Sequence, residues 1–194
     1  QPDLFSRFRA ALGPDPAPAL HAGLIGHGIP VDGPFGPHPL VYADYVASGR
    51  ALRQVEGFVM DEILPWYANS HTEASACGAA MTRLRRAARA EILRCLHGSD
   101  DHAVIFAGSG ATAGINRLVH LLGVGPGTTV ILGPYEHHSN ILPWRESGAT
   151  VVELPEAAGG GHCPDALEAA LVPDAVVALS ACSNVTGITC DVAA

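Results

Sequence analysis

The second half of the chain alternates short apolar runs with segments of helical spacing. Four apolar runs have the length of buried strands: 102–106, 128–132, 150–154 and 175–180. Helices are predicted between them at 111–122 and 164–171, the latter beginning with Pro164, which is favourable in a first helical turn. Strands that alternate with helices predict an α/β fold with a mainly parallel sheet covered by helices on both faces.

The first half of the chain is less regular. A short amphipathic helix is predicted at 3–12, followed by a stretch rich in proline and glycine up to Pro39 that favours a loop or extended arm. Beyond it the pattern predicts a short strand at 40–42, a helix over 50–64 that stops before a proline, and a long helix over 77–96.

These elements predict three segments along the chain. Residues 1–40 form an N-terminal helix and irregular arm, residues 41–68 an opening strand and helix, and residues 69–194 the first, incomplete part of a larger α/β domain. The chain opens with Gln1, and its last residues follow a strand-like run without a closing helix. We therefore expect it to be part of a longer protein.

Composition and charge exclude several classes of protein. The chain has 194 residues, of which 48% are hydrophobic and 15% charged, which is enough for a sizeable core and argues against disorder. Its formal net charge of −8 argues against a nucleic-acid partner, which would need a basic face. The sequence has no apolar run of the roughly 18–20 residues that a membrane span needs. Five cysteines without CxxC spacing, and no signal peptide, predict a cytoplasmic protein with reduced thiols and no metal site.

A glycine-rich turn lies between a predicted strand and a predicted helix, with the sequence GSGATAG at residues 108–114. Glycines let the backbone approach an anion, and a helix start presents N–H groups and the positive end of the helix dipole. The turn therefore favours a phosphate site, to which Thr112 can add a hydroxyl. A tight turn without a ligand is an alternative. The same letters also fit the G-x-G-x-x-A dinucleotide fingerprint, with Glu136 as an acidic ribose ligand.

Two further motifs follow predicted strands, at the strand ends where open α/β sheets bind ligands. EHHSNILPW occupies residues 136–144, and its adjacent His137 and His138 offer flat imidazoles for stacking on a ring. A metal site there would need a third ligand that the sequence does not indicate. SNVTG occupies residues 183–187, where the Asn184 amide can donate to a ligand oxygen or simply belong to a turn.

Taken together, these motifs resemble the class V aminotransferase and cysteine desulfurase family of fold-type I enzymes, which depend on pyridoxal phosphate (PLP). That family shows G-[AT]-T-E-G-I-N, E-H-H-[SA]-N-x-x-P-W and S-N-V-x-G in this order, and the first reads GATAGIN here, at residues 110–116. YADYVAS at residues 42–48 is similar to the family's opening Y-L-D-x-A-A-S. The resemblance covers about residues 40–194 and implies a partial PLP-transferase large domain, preceded by an N-terminal arm.

The resemblance also implies roles for individual residues. Ala111 and Thr112 would hold the PLP phosphate at the helix start. His137 would stack on the pyridine ring and assist proton transfer as a catalytic residue, and Asn184 would donate to the phenolic oxygen of the ring. Ala47 would lie near the substrate. The family further implies an amino-acid substrate, a homodimer and, for a desulfurase, a sulfur-acceptor protein.

The chain departs from the family pattern in several respects. Ala113 stands where the family has glutamate, and Val46 where it has alanine. All 11 positively charged residues are arginine, so no lysine is present to form the Schiff base that holds PLP. The resemblance places that lysine, the aspartate that bonds the pyridine nitrogen and the desulfurase cysteine beyond these residues. We therefore expect the chain alone to be inactive and, because its sheet is incomplete, prone to aggregate.

The leading prediction is a PLP-dependent enzyme that acts on an amino acid, by desulfuration of cysteine or by transamination. Two alternatives stay open. One is an NAD(P)-dependent oxidoreductase that uses the glycine-rich turn as a dinucleotide fingerprint. The other is a non-catalytic descendant that keeps the PLP-enzyme fold as an interaction module.

Overall fold

The computed structural model describes residues 4–191 and divides into two compact units, the first ending at Ile105 and the second beginning at Phe106. Each unit contains its own helices and its own small sheet. The segment boundaries expected at residues 40 and 68 stay predictions from the sequence.

The first unit opens with two short helices and a hairpin: α1 (Leu4–Leu12), α2 (Ala17–Ala22), β1 (Pro30–Gly33) and β2 (Gly36–Pro39), the two strands pairing antiparallel. The predicted first helix is confirmed from Leu4 onward, and residue 3 lies outside the described part of the chain. The prediction of a loop up to Pro39 is wrong where α2 and the hairpin form.

The strand predicted at 40–42 is also wrong, because the hairpin ends at Pro39. The Tyr42 hydroxyl explains the change of direction. It lies 2.6 Å from the carbonyl oxygen of Ser48 and 3.0 Å from that of Asp44, so it holds this stretch in a turn rather than an extended strand.

The helix predicted over 50–64 is interrupted. It forms α3 (Arg53–Phe58), continues as a π-helical turn (Val59–Ile63) and ends in a 3-10 turn (Leu64–Trp66). Pro65 has no N–H to donate to the carbonyl four residues earlier, so a regular α-helix cannot continue through this segment. Trp66 is therefore presented from a tight turn.

The long helix predicted over 77–96 is confirmed as α4 (Ala76–Cys95), with the Ser75 hydroxyl accepting the Gly78 N–H at 3.1 Å as its N-terminal cap. Glu91 on α4 accepts hydrogen bonds from Arg94, at 2.8 Å, and from Arg9 of α1. These bonds, first from Arg94 and then from Arg9, lower the pKa of Glu91 to about 2. The pair of helices is thereby joined by an ionised carboxylate. Within residues 4–191, no helix has both the length and the apolar character needed to cross a membrane.

The second unit contains the parallel sheet. Its elements in chain order are α5 (Gly110–Leu122), β3 (Thr129–Leu132), a 3-10 turn (His138–Asn140), α6 (Leu142–Glu146), β4 (Thr150–Glu153), α7 (Pro164–Ala170) and β5 (Val176–Ala178). The strands are all parallel, in the order β4-β3-β5. The predicted α/β class is confirmed, with β3 at the centre and β4 and β5 at the edges among the described strands.

The strand predicted at 102–106 does not form in the described structure. Periodicity identified an apolar run there, but a strand also needs a neighbour that offers its backbone N–H and C=O groups. None of the strand pairings within residues 4–191 includes this run. Ile105 and Phe106 are accordingly 59% and 47% exposed.

The core of the second unit lies around β3. Val130, Ile131 and Leu132 are each 0% exposed, and successive side chains of a strand point to opposite faces, so both faces of β3 are covered. Val130 and Leu132 form a cluster with Val119 of α5 and Trp144 of α6. This packing places the loops that follow β3 and β5 beside one another.

Candidate functional site

The Glu136 carboxylate ties the loop after β3 to the end of β5. One oxygen, Oε1, accepts the Ser180 backbone N–H at 2.6 Å. The other, Oε2, accepts the Ser180 hydroxyl at 2.7 Å and the Asn140 amide at 2.7 Å. Both oxygens are engaged inside the protein, which disfavours Glu136 as a ribose ligand and with it the dinucleotide alternative. A Cβ at Gly133 would lie 2.7 Å from the Glu136 Oε1 atom, so a larger residue there would displace this carboxylate.

Asn140 extends the same hydrogen-bond network into the core. Its amide group also donates to the Ala178 carbonyl at 3.3 Å, and its Oδ1 atom accepts the indole N–H of Trp144 at 3.0 Å. We name Glu136, Asn140, Trp144 and Ser180 the clamp. The EHHSN motif predicts a site in this loop, whereas Ser180 carries no signal in the sequence beyond its place at the end of a strand.

His137 is exposed and lies at the start of the 3-10 turn. Its Nδ1 atom accepts the Ser139 backbone N–H at 3.1 Å and lies 2.8 Å from the Ser139 hydroxyl. Because a backbone N–H can only donate, the neutral imidazole carries its proton on Nε2. The ring is thus held at one nitrogen and leaves the Nε2–H available to a ligand.

Asn184 is presented by a turn that Ser183 organises. The buried Ser183 hydroxyl accepts the backbone N–H groups of Val185 and Thr186, both at 3.2 Å, and its carbonyl accepts the Gly187 N–H at 3.1 Å. Gly187 has φ of 74°, a conformation that favours glycine. The turn leaves the Asn184 side chain exposed.

The loops carrying His137 and Asn184 line one open cavity of about 300 Å³ at the carboxyl end of the sheet. Its other walls come from the same two segments: Pro134, Tyr135, Glu136, His138, Ser183, Val185 and Thr186. A carboxyl-end cavity is where parallel sheets bind ligands. Two of the predicted site residues, far apart in sequence, are thereby brought together.

Ala111 and Thr112 lie at the exposed start of α5 and do not belong to the lining of that cavity. Gly108 and Gly110 have φ of 118° and 69°, which glycine adopts without strain. Within the described residues, the Ser109 side chain makes no capping hydrogen bond to α5, in contrast to Ser75 at the start of α4. The first N–H groups of α5 are therefore suited to an anion.

α5 contacts segments on both sides of β3 in the chain. Its C-terminus joins β3 through a short link in which the Val124 N–H donates to the Val119 carbonyl at 3.0 Å. α5 also packs against the 3-10 turn that begins directly after His137 and follows β3. The helix therefore lies against the segment that carries His137.

Tyr135 is a cavity residue that sequence analysis missed. Its hydroxyl donates to the Glu156 carboxylate and accepts the Gly161 N–H at 3.2 Å. The glycine-rich segment at 159–161 thus contacts Tyr135, and Gly161 is buried. The hydrogen bond to Glu156, assisted by burial, raises the pKa of Tyr135, and the Gly161 N–H opposes this change.

The raised pKa predicts a pH dependence at alkaline pH. In the folded protein, Tyr135 keeps its proton at pH values above the ordinary pKa of 10.0. The protonated Tyr135 therefore stabilises the folded state fully below pH 10.0, and this stabilisation is lost as the pH rises through the folded pKa. We expect the difference in 295 nm absorbance between the parent protein and Tyr135→Phe to titrate above pH 10. Glu156→Gln should move this midpoint back toward 10.0, and an unchanged midpoint would contradict the Tyr135–Glu156 hydrogen bond.

Ala47 lies in the first unit, in an exposed turn over residues 45–47. Its predicted place near the substrate stays a prediction. The rings of His137 and His138 are 6.0 Å apart, and within the described residues they belong to no group of three or more His, Cys, Asp or Glu side chains suited to a metal ion.

Known proteins resemble this chain over most of its length. A probable cysteine desulfurase of Halalkalibacterium halodurans is 31% identical over 157 residues, which is 77% of this chain and 38% of the relative. The cysteine desulfurase CsdA of Escherichia coli is 32% identical over 127 residues, 61% of this chain and 31% of the relative. The chain therefore spans about 38% of the length of a curated relative that it matches well.

A solved structure agrees with the sequence comparisons. The crystal structure of E. coli CsdA in an S-sulfonic acid form matches with a TM-score of 0.61 and 30% identity, covering 78% of this chain and 40% of the other. The model of the family described as aminotransferase class-V matches residues 41–194. That range contains the glycine-rich turn, the EHHSN motif and the SNVTG turn. This chain therefore belongs to the class-V aminotransferase family.

Proposed function

We propose that the chain forms part of the cofactor site of a PLP-dependent enzyme that acts on an amino acid, with cysteine desulfuration as the leading reaction and transamination as the alternative. Enzymes of this family use PLP. The observation that carries the proposal is the shared cavity of His137 and Asn184 at the carboxyl end of the sheet. The relatives named cysteine desulfurases favour desulfuration over transamination.

The chemistry of the donor set fits PLP. The uncapped N–H groups at Ala111 and Thr112 would bind the phosphate dianion, which the helix dipole also favours. The exposed imidazole of His137 would lie flat against the pyridine ring, and the Asn184 amide would donate to the phenolic oxygen. Ala47 would border the substrate. When bound, PLP withdraws electrons from the substrate carbon next to the amino group.

The hydrogen bonds of His137 define its proposed catalytic role. With Nδ1 held by Ser139, only Nε2 is available to hold or release a proton toward a ligand. His137 would therefore combine stacking with proton transfer at a single, oriented nitrogen. The clamp limits the movement of the loop that carries it, because Glu136 joins that loop to Ser180.

Covalent attachment of the cofactor needs a lysine that these 194 residues do not contain. We propose that the complete active site takes this lysine from outside the residues described above. A homodimer and a sulfur-acceptor protein belong to the same proposal. The non-catalytic interaction module would keep the fold but have no use for an ordered cofactor site.

Binding of a PLP analogue tests the proposal without any turnover. Pyridoxine 5′-phosphate has no aldehyde and therefore cannot react with an amine or thiol. We expect it to bind about 10–100 times more tightly than pyridoxine, because the phosphate receives charge-assisted hydrogen bonds. Removing the flat ring in His137→Ala should weaken binding by roughly 2–10-fold, whereas His137→Phe should stay within about 3-fold because an aromatic ring remains. Equilibrium dialysis measures each affinity.

The matched control is His120→Ala, which removes an exposed imidazole near the other end of α5 and should leave the affinity unchanged. Equal affinities for pyridoxine and its phosphate would contradict the proposed phosphate site. Tighter binding of NADH than of pyridoxine 5′-phosphate would favour the dinucleotide alternative.

A further inference from the structure

A larger cavity, of about 600 Å³, lies within the first unit between α1, α4 and the turns that end at Trp66. We name it the α4 groove. Its floor is one face of α4, where Ala80, Leu84 and Ala87 stand at positions i, i+4 and i+7. Two of these side chains are single methyl groups, which leave room above the helix. Its described lining includes no residue of the family motifs, so the groove has no assigned ligand.

The wall formed by α1 is fixed to its neighbours. Arg7 pairs with Glu62 of the π-helical turn at 3.1 Å. Phe8 packs on Phe58 of α3, with ring centroids 4.8 Å apart. Further along, the ion pair described above joins α1 to α4. The helix is thus tied to both other walls, and the groove is formed before any ligand binds.

The groove combines an apolar interior with an exposed indole. Leu4, Met81 and Leu84 contribute apolar side chains, of which Met81 is 8% exposed. Trp66 also lines the groove and is 50% exposed, although a large aromatic side chain gains much from burial. The volume lies within the range of about 300–1,000 Å³ for pockets that hold small molecules. A ligand with an apolar body would cover the indole.

The charges of the groove are unbalanced by one. Among the described residues that line it, Arg7 and Arg83 are basic and Glu62 is the one acid, already paired with Arg7. No ion pair of the described structure includes Arg83. Arg83 follows Ala80 by three residues and precedes Ala87 by four, so its guanidinium rises from the same face of α4 as the floor. One positive charge therefore stands unpaired beside an apolar surface.

We propose that the α4 groove binds a small amphipathic carboxylate, a molecule that joins one carboxylate to an aromatic or branched apolar body. The body covers Trp66 and Met81, and the carboxylate accepts hydrogen bonds from Arg83, whose planar pairs of N–H donors match carboxylate oxygens. The site is independent of the proposed PLP site, since residues 4–87 line it and all of them lie in the first unit.

The fluorescence of Trp66 in the full chain tests this proposal. The probe is 4-phenylbutyrate, compared with 4-phenylbutyramide, which has the same body without the charge, and with butyrate, which has the charge without the ring. Subtracting the titration of Trp66→Phe removes the signal of Trp144. We expect a saturable change with 4-phenylbutyrate and at least fivefold weaker binding of the other two. No saturable change, or equal binding of either comparison compound, overturns the proposal.

Arg83→Gln should weaken the binding of 4-phenylbutyrate about tenfold, because it removes a charge-assisted hydrogen bond. Arg83 is exposed, so α4 should keep its circular dichroism, and Arg83→Lys should recover part of the affinity because the charge returns. The matched control is Arg85→Gln, an exposed arginine on the same helix but outside the lining of the groove. An equal loss in Arg85→Gln would show a general charge effect and overturn the site.

A second copy of the chain is the competing occupant of the groove. Sedimentation velocity without ligand distinguishes the two, since a carboxylate site needs no association of chains. We expect Trp66→Ala to leave the sedimentation of the protein unchanged. A dimer of the parent protein that Trp66→Ala dissociates would assign the groove to a second copy and overturn the proposal.

Discussion

Replacing Trp144 with alanine should lower the free energy of unfolding of the second unit by about 3–5 kcal/mol. The indole is 1% exposed and packs with Val119, Val130 and Leu132, so its removal opens a cavity in the centre of a small core. It also removes the N–H that donates to Asn140 at 3.0 Å. Natural domains are stable by only about 5–15 kcal/mol, so a loss of this size is a large part of the total. Urea unfolding followed by circular dichroism measures it.

The chain supplies its own control for this experiment, because it contains 2 tryptophans. Trp66 is 50% exposed, so Trp66→Ala should lose much less stability than Trp144→Ala. Trp144→Phe separates the two causes: it keeps an aromatic ring and loses the N–H, and we expect a cost of about 1–2 kcal/mol. Similar urea midpoints for Trp66→Ala and Trp144→Ala would show that Trp144 does not hold the core together.

Replacing Glu136 with alanine should lower the free energy of unfolding by about 2–4 kcal/mol. Its carboxylate accepts three hydrogen bonds, two from Ser180 and one from Asn140, and these donors would be left in a partly buried place. Glu136→Gln keeps the shape of the side chain but should still destabilise the protein, because its NH₂ group would face a hydrogen-bond donor of Ser180 or Asn140. The Asn140 amide cannot turn over without losing the hydrogen bond from Trp144.

In a Trp66→Phe background, Trp144 is the sole tryptophan and lies inside the clamp. The tryptophan fluorescence recorded during urea unfolding then reports on the clamp alone. Glu146→Gln removes an exposed carboxylate in α6 and should change stability by no more than about 0.5 kcal/mol. If Glu136→Ala were no more sensitive to urea than Glu146→Gln, the three hydrogen bonds would contribute nothing net, and Glu136 would be open again to a ligand-binding role.

Local periodicity was sufficient for the elements that carry a strong pattern. The long helix α4, the helix α5 and the strands β3, β4 and β5 were all predicted from spacing and composition. Failures came where local pattern does not determine the outcome. The run 102–106 is apolar but forms no strand in the described structure, and the helix over 50–64 changes type ahead of Pro65. The hairpin of β1 and β2 was not predicted, because its sequence is rich in proline and glycine, which favour loops.

The candidate site, like the fold, was predicted from the sequence only in part. Motif order was enough to indicate a PLP site and to select His137 and Asn184, which do line one cavity. Their roles, and those of Ala111, Thr112 and Ala47, stay predictions that the binding experiment tests. Tyr135 escaped notice because its partners, Glu156 and Gly161, lie in a later glycine-rich segment that carries no motif.

By itself, the sequence determined the α/β class, the family motifs and the absence of a lysine, because composition, spacing and short motifs are local properties of a chain. Only the tertiary structure decided that Ser180 and Asn140 engage the Glu136 carboxylate inside the protein, and that Trp144 closes the core. Glu136 and Ser180 are 44 residues apart, and a hydrogen bond over that separation exists only after parallel strands have aligned their carboxyl ends.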